Sequence, residues 1–184
     1  MVFSFIKKRY KAYLKNKKDK YLQSLINNGL FLGEDVEIID DFFFDPSHCF
    51  LISIGSHTTI CPNVRLIAHD ASTKKLLGYT KIGKIEIGEY CFIGDSAIIL
   101  PNVKIGSNTI VGAGSVVTRN IPAGSVAAGN PARVVSSTEQ YKQRFKKIGD
   151  QKKIFGNEYL IRNLDKRKRN EILQSIDNDF SFIV

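Results

Sequence analysis

An aliphatic residue returns at every sixth position through the centre of the chain, at Ile87, Ile93, Ile99, Ile105, Val111 and Val117, with a weaker step at Ala123. The same spacing runs earlier, at Ile54, Ile60 and Leu66. A helix turns by about 100° per residue, so a step of six scatters such positions around its surface. A strand keeps them on one face, because six is a multiple of two. One strand from Ile87 to Ala123 would run about 120 Å at ~3.3 Å per residue, well past the roughly ten residues at which strands usually stop. The chain must therefore bend once per hexad. Glycine follows most of the aliphatic positions, as Gly55, Gly88, Gly94, Gly106, Gly112 and Gly124, and is expected to supply the bends. The fifth position is mostly small, at Thr58, Cys91, Ala97, Thr109, Ser115 and Ala127, as a tight interior corner would require. A short fixed period is the mark of a solenoid, in which each unit buries its apolar side on its neighbours.

The rhythm breaks between Leu66 and Ile87, where twenty-one residues is not a multiple of six. Extra chain must leave the coil there, and the segment Asp70–Lys84 is the candidate for an extruded loop. Loops held on a rigid scaffold often carry function. Residues 31–52 read as strand-like but irregular. Residues 2–28 read as an amphipathic helix, with Phe3, Ile6, Tyr10, Tyr13, Leu14, Tyr21, Leu22, Leu25 and Ile26 at three- and four-residue spacings. From Ser136 onward the chain is charged and helical in pattern. The expected organisation is a helical segment over 1–30, a solenoid over 31–135 with its loop at 70–84, and a helical extension over 136–184. The flanking helices can cap the solenoid ends.

Charge sharpens this division. The net charge is +9. Residues 1–20 hold eight Lys/Arg against one acidic residue, residues 21–135 hold eight against ten, and residues 136–184 hold eleven against seven. The basicity therefore sits in the flanks. They show no recognisable nucleic-acid motif, so no nucleic-acid partner is expected. No apolar run approaches the ~18 residues of a membrane span. The N-terminus lacks a signal-peptide core, and a cytoplasmic location is expected. The lysine-rich face of residues 1–28 admits packing against the solenoid end, or weak association with an anionic membrane surface. Cys49, Cys61 and Cys91 show no metal-type spacing and read as structural.

The chemistry has to come from particular residues. His48 lies in DPSHCF, His57 is the fourth residue of a hexad, and His69 lies in RLIAHDAS, just before the loop. Pro62-Asn63-Val64 stands immediately upstream of His69, and VGAGSVVTRNIPAGSVAAGNPARVV closes the repeat from Val111 to Val135. With the hexads, these stretches resemble the hexapeptide-repeat acyltransferases, in particular the sugar O-acetyltransferases among them. The resemblance implies a mainly β fold, a left-handed parallel β-helix with three hexads per coil, so that residues eighteen apart stack. It also implies a homotrimer, acetyl-CoA as cosubstrate, a sugar acceptor and no required metal.

The resemblance makes His69 the general base that takes a proton from an acceptor hydroxyl as it attacks the thioester. Asp45 is implied as an acceptor contact or as a carboxylate behind His69, although an Asx-turn before Pro46 would also explain it. Asp70 is adjacent to His69, but neighbours on a strand point opposite ways. His48 and Phe92 are further acceptor candidates. Ala113, Thr118, Arg119 and Arg133 fall where the family binds coenzyme A, the two arginines suiting phosphates. Asp95 also falls there, with an acidic side chain where the family commonly has a small polar one. Other readings stay open at this point: an N-acetyltransferase on an amino-sugar nucleotide, a zinc hydratase of the γ-carbonic-anhydrase type built on His48, His57 and His69, and an inert β-helix binding module.

Overall fold

The computed structural model describes residues 18–176 and 180–184, which divide into two compact units after Thr138. The first is a parallel β-helix with three faces. Face one holds the strands Phe31–Leu32, Ile52–Ile54, Ile85–Ile87 and Val103–Ile105. Face two holds Glu37–Ile38, Thr59–Ile60, Phe92–Ile93, Ile110–Val111 and Ser125–Gly129, and ends in an antiparallel hairpin with Ala132–Ser137. Face three holds Phe43–Phe44, Arg65–Leu66, Ile98–Ile99 and Val116–Val117. The chain visits the faces in that order, coil after coil, and the hand is left, as in the hexapeptide-repeat transferases.

The aliphatic hexad positions point inward. Ile54, Ile60, Leu66, Ile93, Ile99, Val111 and Val117 are fully buried, and Ile87 and Ile105 nearly so. Each such side chain contributes about 1.5–3 kcal/mol on burial. The small fifth positions Thr58, Cys91, Ala97, Thr109 and Ser115 line the interior beside them. Thr58 Oγ1 donates to the Gly88 carbonyl at 2.9 Å and accepts from the Cys91 amide at 3.1 Å, so its buried hydroxyl is satisfied.

The bends are made differently from the sequence expectation. The left-handed backbone falls at the fourth hexad residue, as at His57 (φ 57°), Tyr90 (φ 55°), Asn102 (φ 63°) and Asn108 (φ 57°). Most glycines at the second position are needed for close stacking instead. A Cβ on Gly88 would lie 2.5 Å from the Ser107 nitrogen, closer than any real side chain approaches.

Coil lengths show a second departure. Ile87 pairs in register with Ile105, and Ile93 with Val111, both eighteen residues apart. Ile54 pairs with Ile87, thirty-three apart, so the coil holds fifteen extra residues, as many as Asp70–Lys84 contains. The rhythm does not slip only there, however. Leu32, Ile38 and Phe44 are themselves one hexad run, paired with Ile54, Ile60 and Leu66 at a distance of twenty-two. Four extra residues therefore leave the first coil between Phe44 and Ile52, around a 3₁₀ turn at Cys49–Leu51. The last coil is short by two: Ile121, not Ala123, bridges to Ile105, and Ala123 is exposed.

Residues 18–27 are helical, and here Leu25 is buried, Leu22 packs against the core and Tyr21 stacks on Phe42 with ring centroids 5.7 Å apart. The rest of the helix expected over 2–28, and the membrane contact considered for 1–28, involve residues 1–17, outside the described residues. Among the described residues no helix is long and apolar enough to cross a membrane.

The second unit is held together by aromatics. Its strands Ile154–Phe155 and Phe182–Ile183 pair in parallel, and Phe182 packs edge-to-face against both Phe145 and Phe180. The basic run Lys166–Arg169 opens the helix Lys166–Ser175, capped by the Asp165 carboxylate accepting from the Lys168 amide at 2.8 Å.

Candidate active site

All the changes in coil length occur at one corner, where face three returns to face one. Both insertions stand there, one coil above the other. The lower begins with Asp45, directly after the buried Phe44, and forms the turn Pro46–Leu51. The upper begins at His69, whose strand His69–Asp70 pairs antiparallel with Lys81–Ile82 to close the base of the loop. The Gly83 amide donates to the Ala68 carbonyl at 3.0 Å and returns the chain to the coil.

This stacking brings Asp45, His48 and His69 together, with one polar atom of each within 4.8 Å of the others. Asp45 is 0% exposed. Its Oδ2 accepts a hydrogen bond from His69 Nδ1. Its Oδ1 accepts from Ser47 Oγ at 2.7 Å and from the Ser47 amide at 3.2 Å. Asp45 is thus both the Asx-turn residue before Pro46 and the partner of His69. Burial works against its charged form, but the hydrogen bonds from His69 and Ser47 outweigh it and hold the carboxyl below its ordinary range. His48 Nδ1 lies 2.9 Å from Ser47 Oγ and 3.9 Å from Asp45 Oδ2. The rings of His48 and His69 are 5.0 Å apart and tilted by 36°. Both are partly exposed, so the site has a buried anionic floor and two imidazoles at its mouth.

Asp70 is not part of this cluster. Its carboxylate accepts from the Ser72 amide at 2.8 Å and pairs with Lys81 Nζ at 2.6 Å. The hydrogen bonds from Lys81 and Ser72 hold it well below the usual carboxylate range. His57 stands at a different corner, between faces one and two, where it stacks on Tyr90 at 4.8 Å and pairs with Asp35 at 3.6 Å. The three histidines therefore do not converge within the chain. Asp45, His48 and His69 have the donor types of a metal site, but a cation would have to displace the hydrogen bonds that already join them.

Phe92 is exposed on face two, one coil above Thr59. The remaining candidates lie on the upper coils. Asp95 and Ala113 stand at the corner between faces two and three, where the Asp95 carbonyl accepts from the Gly114 amide at 2.8 Å. Thr118 and Arg119 are exposed at the same corner as His69, two coils higher. Arg133 is exposed on the terminal hairpin, with Nη1 donating to the Ala132 carbonyl at 2.8 Å. Ser47, which ties His48 to Asp45, was missed in the sequence. The signal available was the ten-residue step from Phe44 to Ile54, hidden by the run of three phenylalanines.

A stacked β-helix with a carboxylate–histidine pair at an extruded corner defines a class of protein, and comparison with known proteins places the chain within it. Residues 84–119 match the family model "bacterial transferase hexapeptide (six repeats)". Protein CapG of Staphylococcus aureus is 37% identical over 167 residues, covering 87% of this chain and 97% of CapG. YvoF of Bacillus subtilis is 38% identical over 99 residues, and there the chain spans about half of its relative, 55%. A galactoside acetyltransferase solved in complex with coenzyme A superposes with a TM-score of 0.54 at 27% identity, over 62% of this chain and 68% of that one. The chain belongs to the hexapeptide-repeat acyltransferases.

Proposed function

We propose that this protein transfers the acetyl group of acetyl-CoA to a hydroxyl of a sugar or glycan precursor, with His69 as general base. The observation that carries the reading is the hydrogen bond from His69 Nδ1 to the buried Asp45 carboxylate. It fixes the imidazole in the tautomer whose Nε2 lone pair is free. That lone pair takes the hydroxyl proton as the oxygen attacks the thioester carbon. The new C–O bond forms, the C–S bond breaks, and Nε2–H returns the proton to the departing thiolate. The Asp45 charge stabilises the imidazolium in between, the role a buried carboxylate plays behind a catalytic histidine. The step needs no metal.

The relative named as a galactoside acetyltransferase, bound to coenzyme A, supports both the donor and the sugar acceptor. Acceptor candidates gather on the lower coils, as Asp45, His48 and His69, whereas Asp95, Ala113, Thr118, Arg119 and Arg133 are on the upper coils, where the two arginines offer fixed positive charge to coenzyme phosphates. Phe92 and Asp70 stand apart from the acceptor cluster. A homotrimer, with the coenzyme held between neighbours, completes the reading, as does a cytoplasmic location, where acetyl-CoA is made.

The test is thiol release from acetyl-CoA against a panel of methyl hexopyranosides and amino-sugar nucleotides, with the product identified by mass. O-acetylated sugar is the expected product. Acetylation confined to amines would overturn the hydroxyl assignment, and no transfer to any sugar would overturn the reading.

A further inference from the structure

The environment of His48 carries information about the acceptor beyond the reaction class. Ser47 Oγ has a single proton. That proton goes to Asp45 Oδ1 at 2.7 Å, because an ionised carboxylate can only accept. The 2.9 Å contact between Ser47 Oγ and His48 Nδ1 then requires His48 Nδ1 to carry the hydrogen. His69 Nδ1 donates to the other oxygen of the same carboxylate. One buried anion therefore sets both rings in the same tautomer, His69 directly and His48 through Ser47. Both Nε2 atoms are left as acceptors. The hydrogen bond that each ring makes runs through Nδ1, and both rings are partly exposed.

The rings are neighbours, with centroids 5.0 Å apart and planes tilted by 36°. A hydroxyl donating to an imidazole nitrogen sits about 2.8 Å from it. Rings this close leave their outward nitrogens within reach of two hydroxyls of one sugar ring. We infer that the acceptor is a vicinal diol, two hydroxyls on adjacent carbons of one molecule, with the reacting hydroxyl on His69 and its neighbour on His48. The inference rests on the acetyl-transfer reading of the site. Only the hydroxyl on His69 changes: it loses its proton to Nε2 and gains the acetyl group. The hydroxyl on His48 donates a hydrogen bond, keeps its proton and orients the ring. His48 is thus a specificity-determining residue.

Two measurements on the full chain test this. Long-range ¹⁵N–¹H correlation spectra at a pH where the imidazoles are neutral report each tautomer without any acceptor present. The expected result is an Nδ1–H tautomer with unprotonated Nε2 at both His48 and His69; an Nε2–H tautomer at His48 overturns the diol assignment whatever the activity. Acetyl transfer is then compared between methyl hexopyranosides and analogues lacking the hydroxyl next to the acetylated one. Loss of that hydroxyl should lower kcat/KM by about tenfold, the worth of one hydrogen bond. H48F, which keeps the ring and loses its nitrogens, should bring the diol acceptor down to the level of its deoxy analogue. A fall by the same factor on both acceptors would overturn the inference. No transfer to any hexopyranoside by the unaltered protein would overturn the acetyl-transfer reading itself, a failure told apart by the acceptor-free tautomer spectrum.

Discussion

Two corners of the β-helix are built from the same hexad and have opposite fates. The corner between faces two and three is crossed by the same few residues in each coil, with buried small or aliphatic residues such as Val64, Ala97 and Ser115 inside. The corner between faces three and one takes four extra residues in one coil, fifteen in the next, and two fewer in the last. The strands on either side stay in register through all of it. Length can vary at one corner without breaking the ladders, because each coil's apolar positions return to the same partners. The acid–base cluster collects where the length varies, with Asp45, His48 and His69 at the two insertions, whereas the constant corner carries packing together with Asp95 and Ala113.

This contrast can be broken most sharply at His69. H69A should lower kcat for acetyl transfer by about 10²–10⁴-fold, the usual worth of a positioned acid–base, while keeping a cooperative unfolding transition, lowered because Asp45 loses its partner; a folded variant with normal turnover would detach the chemistry from the corner. Ile99, fully buried on face three, represents the constant wall. I99A should cost about 2–5 kcal/mol in urea unfolding. Leu76 on the upper loop is 82% exposed, and L76S should fall within about 0.5 kcal/mol of the parent. Equal costs at the two sites would mean that the loop is as integral as the wall.

The next effect is a pH dependence. Burial opposes the Asp45 charge, but the hydrogen bonds from His69 and Ser47 hold its carboxyl below the ordinary carboxylate range in the folded protein. A depressed carboxylate pKa stabilises the fold above the unfolded value and loses that contribution as pH falls through the folded one. Comparing urea midpoints of the parent and D45N from pH 7 to pH 3 should show an advantage of about 1–3 kcal/mol for the parent at neutral pH. The advantage should shrink below about pH 4. The smallest effects belong to the upper coils. R119A and R133A should each raise the KM for acetyl-CoA by about two- to fivefold, as exposed charges do, and less at high salt.

The solenoid was legible in the sequence because its period is carried by bulky aliphatics that must be buried. The upper insertion was legible as a failed count. The lower was not: Phe42 and Phe43 directly precede the inward Phe44 and mask the hexad that runs from Leu32. The role of the second-position glycines was also misread, since sequence shows which residue is small but not whether torsion or a neighbouring backbone demands it. At the site, His69 could be singled out by its place beside the break. Its partner Asp45 was named through the resemblance alone, with an acceptor contact and an Asx-turn left beside that role, because Asp45 lies twenty-four residues upstream and meets His69 only through the vertical stacking of coils. Ser47 has no signature of its own, and its importance comes entirely from the carboxylate beside it.

The central claim is that Asp45 acts through His69. It is tested most directly by a double-mutant cycle on kcat for acetyl transfer, with D45N, H69A and the pair. If the carboxylate works only by orienting and charging the imidazole, D45N slows the parent enzyme, and adding it to H69A slows turnover no further. If the two losses multiply, Asp45 has a separate role, and the pair is not the unit of catalysis.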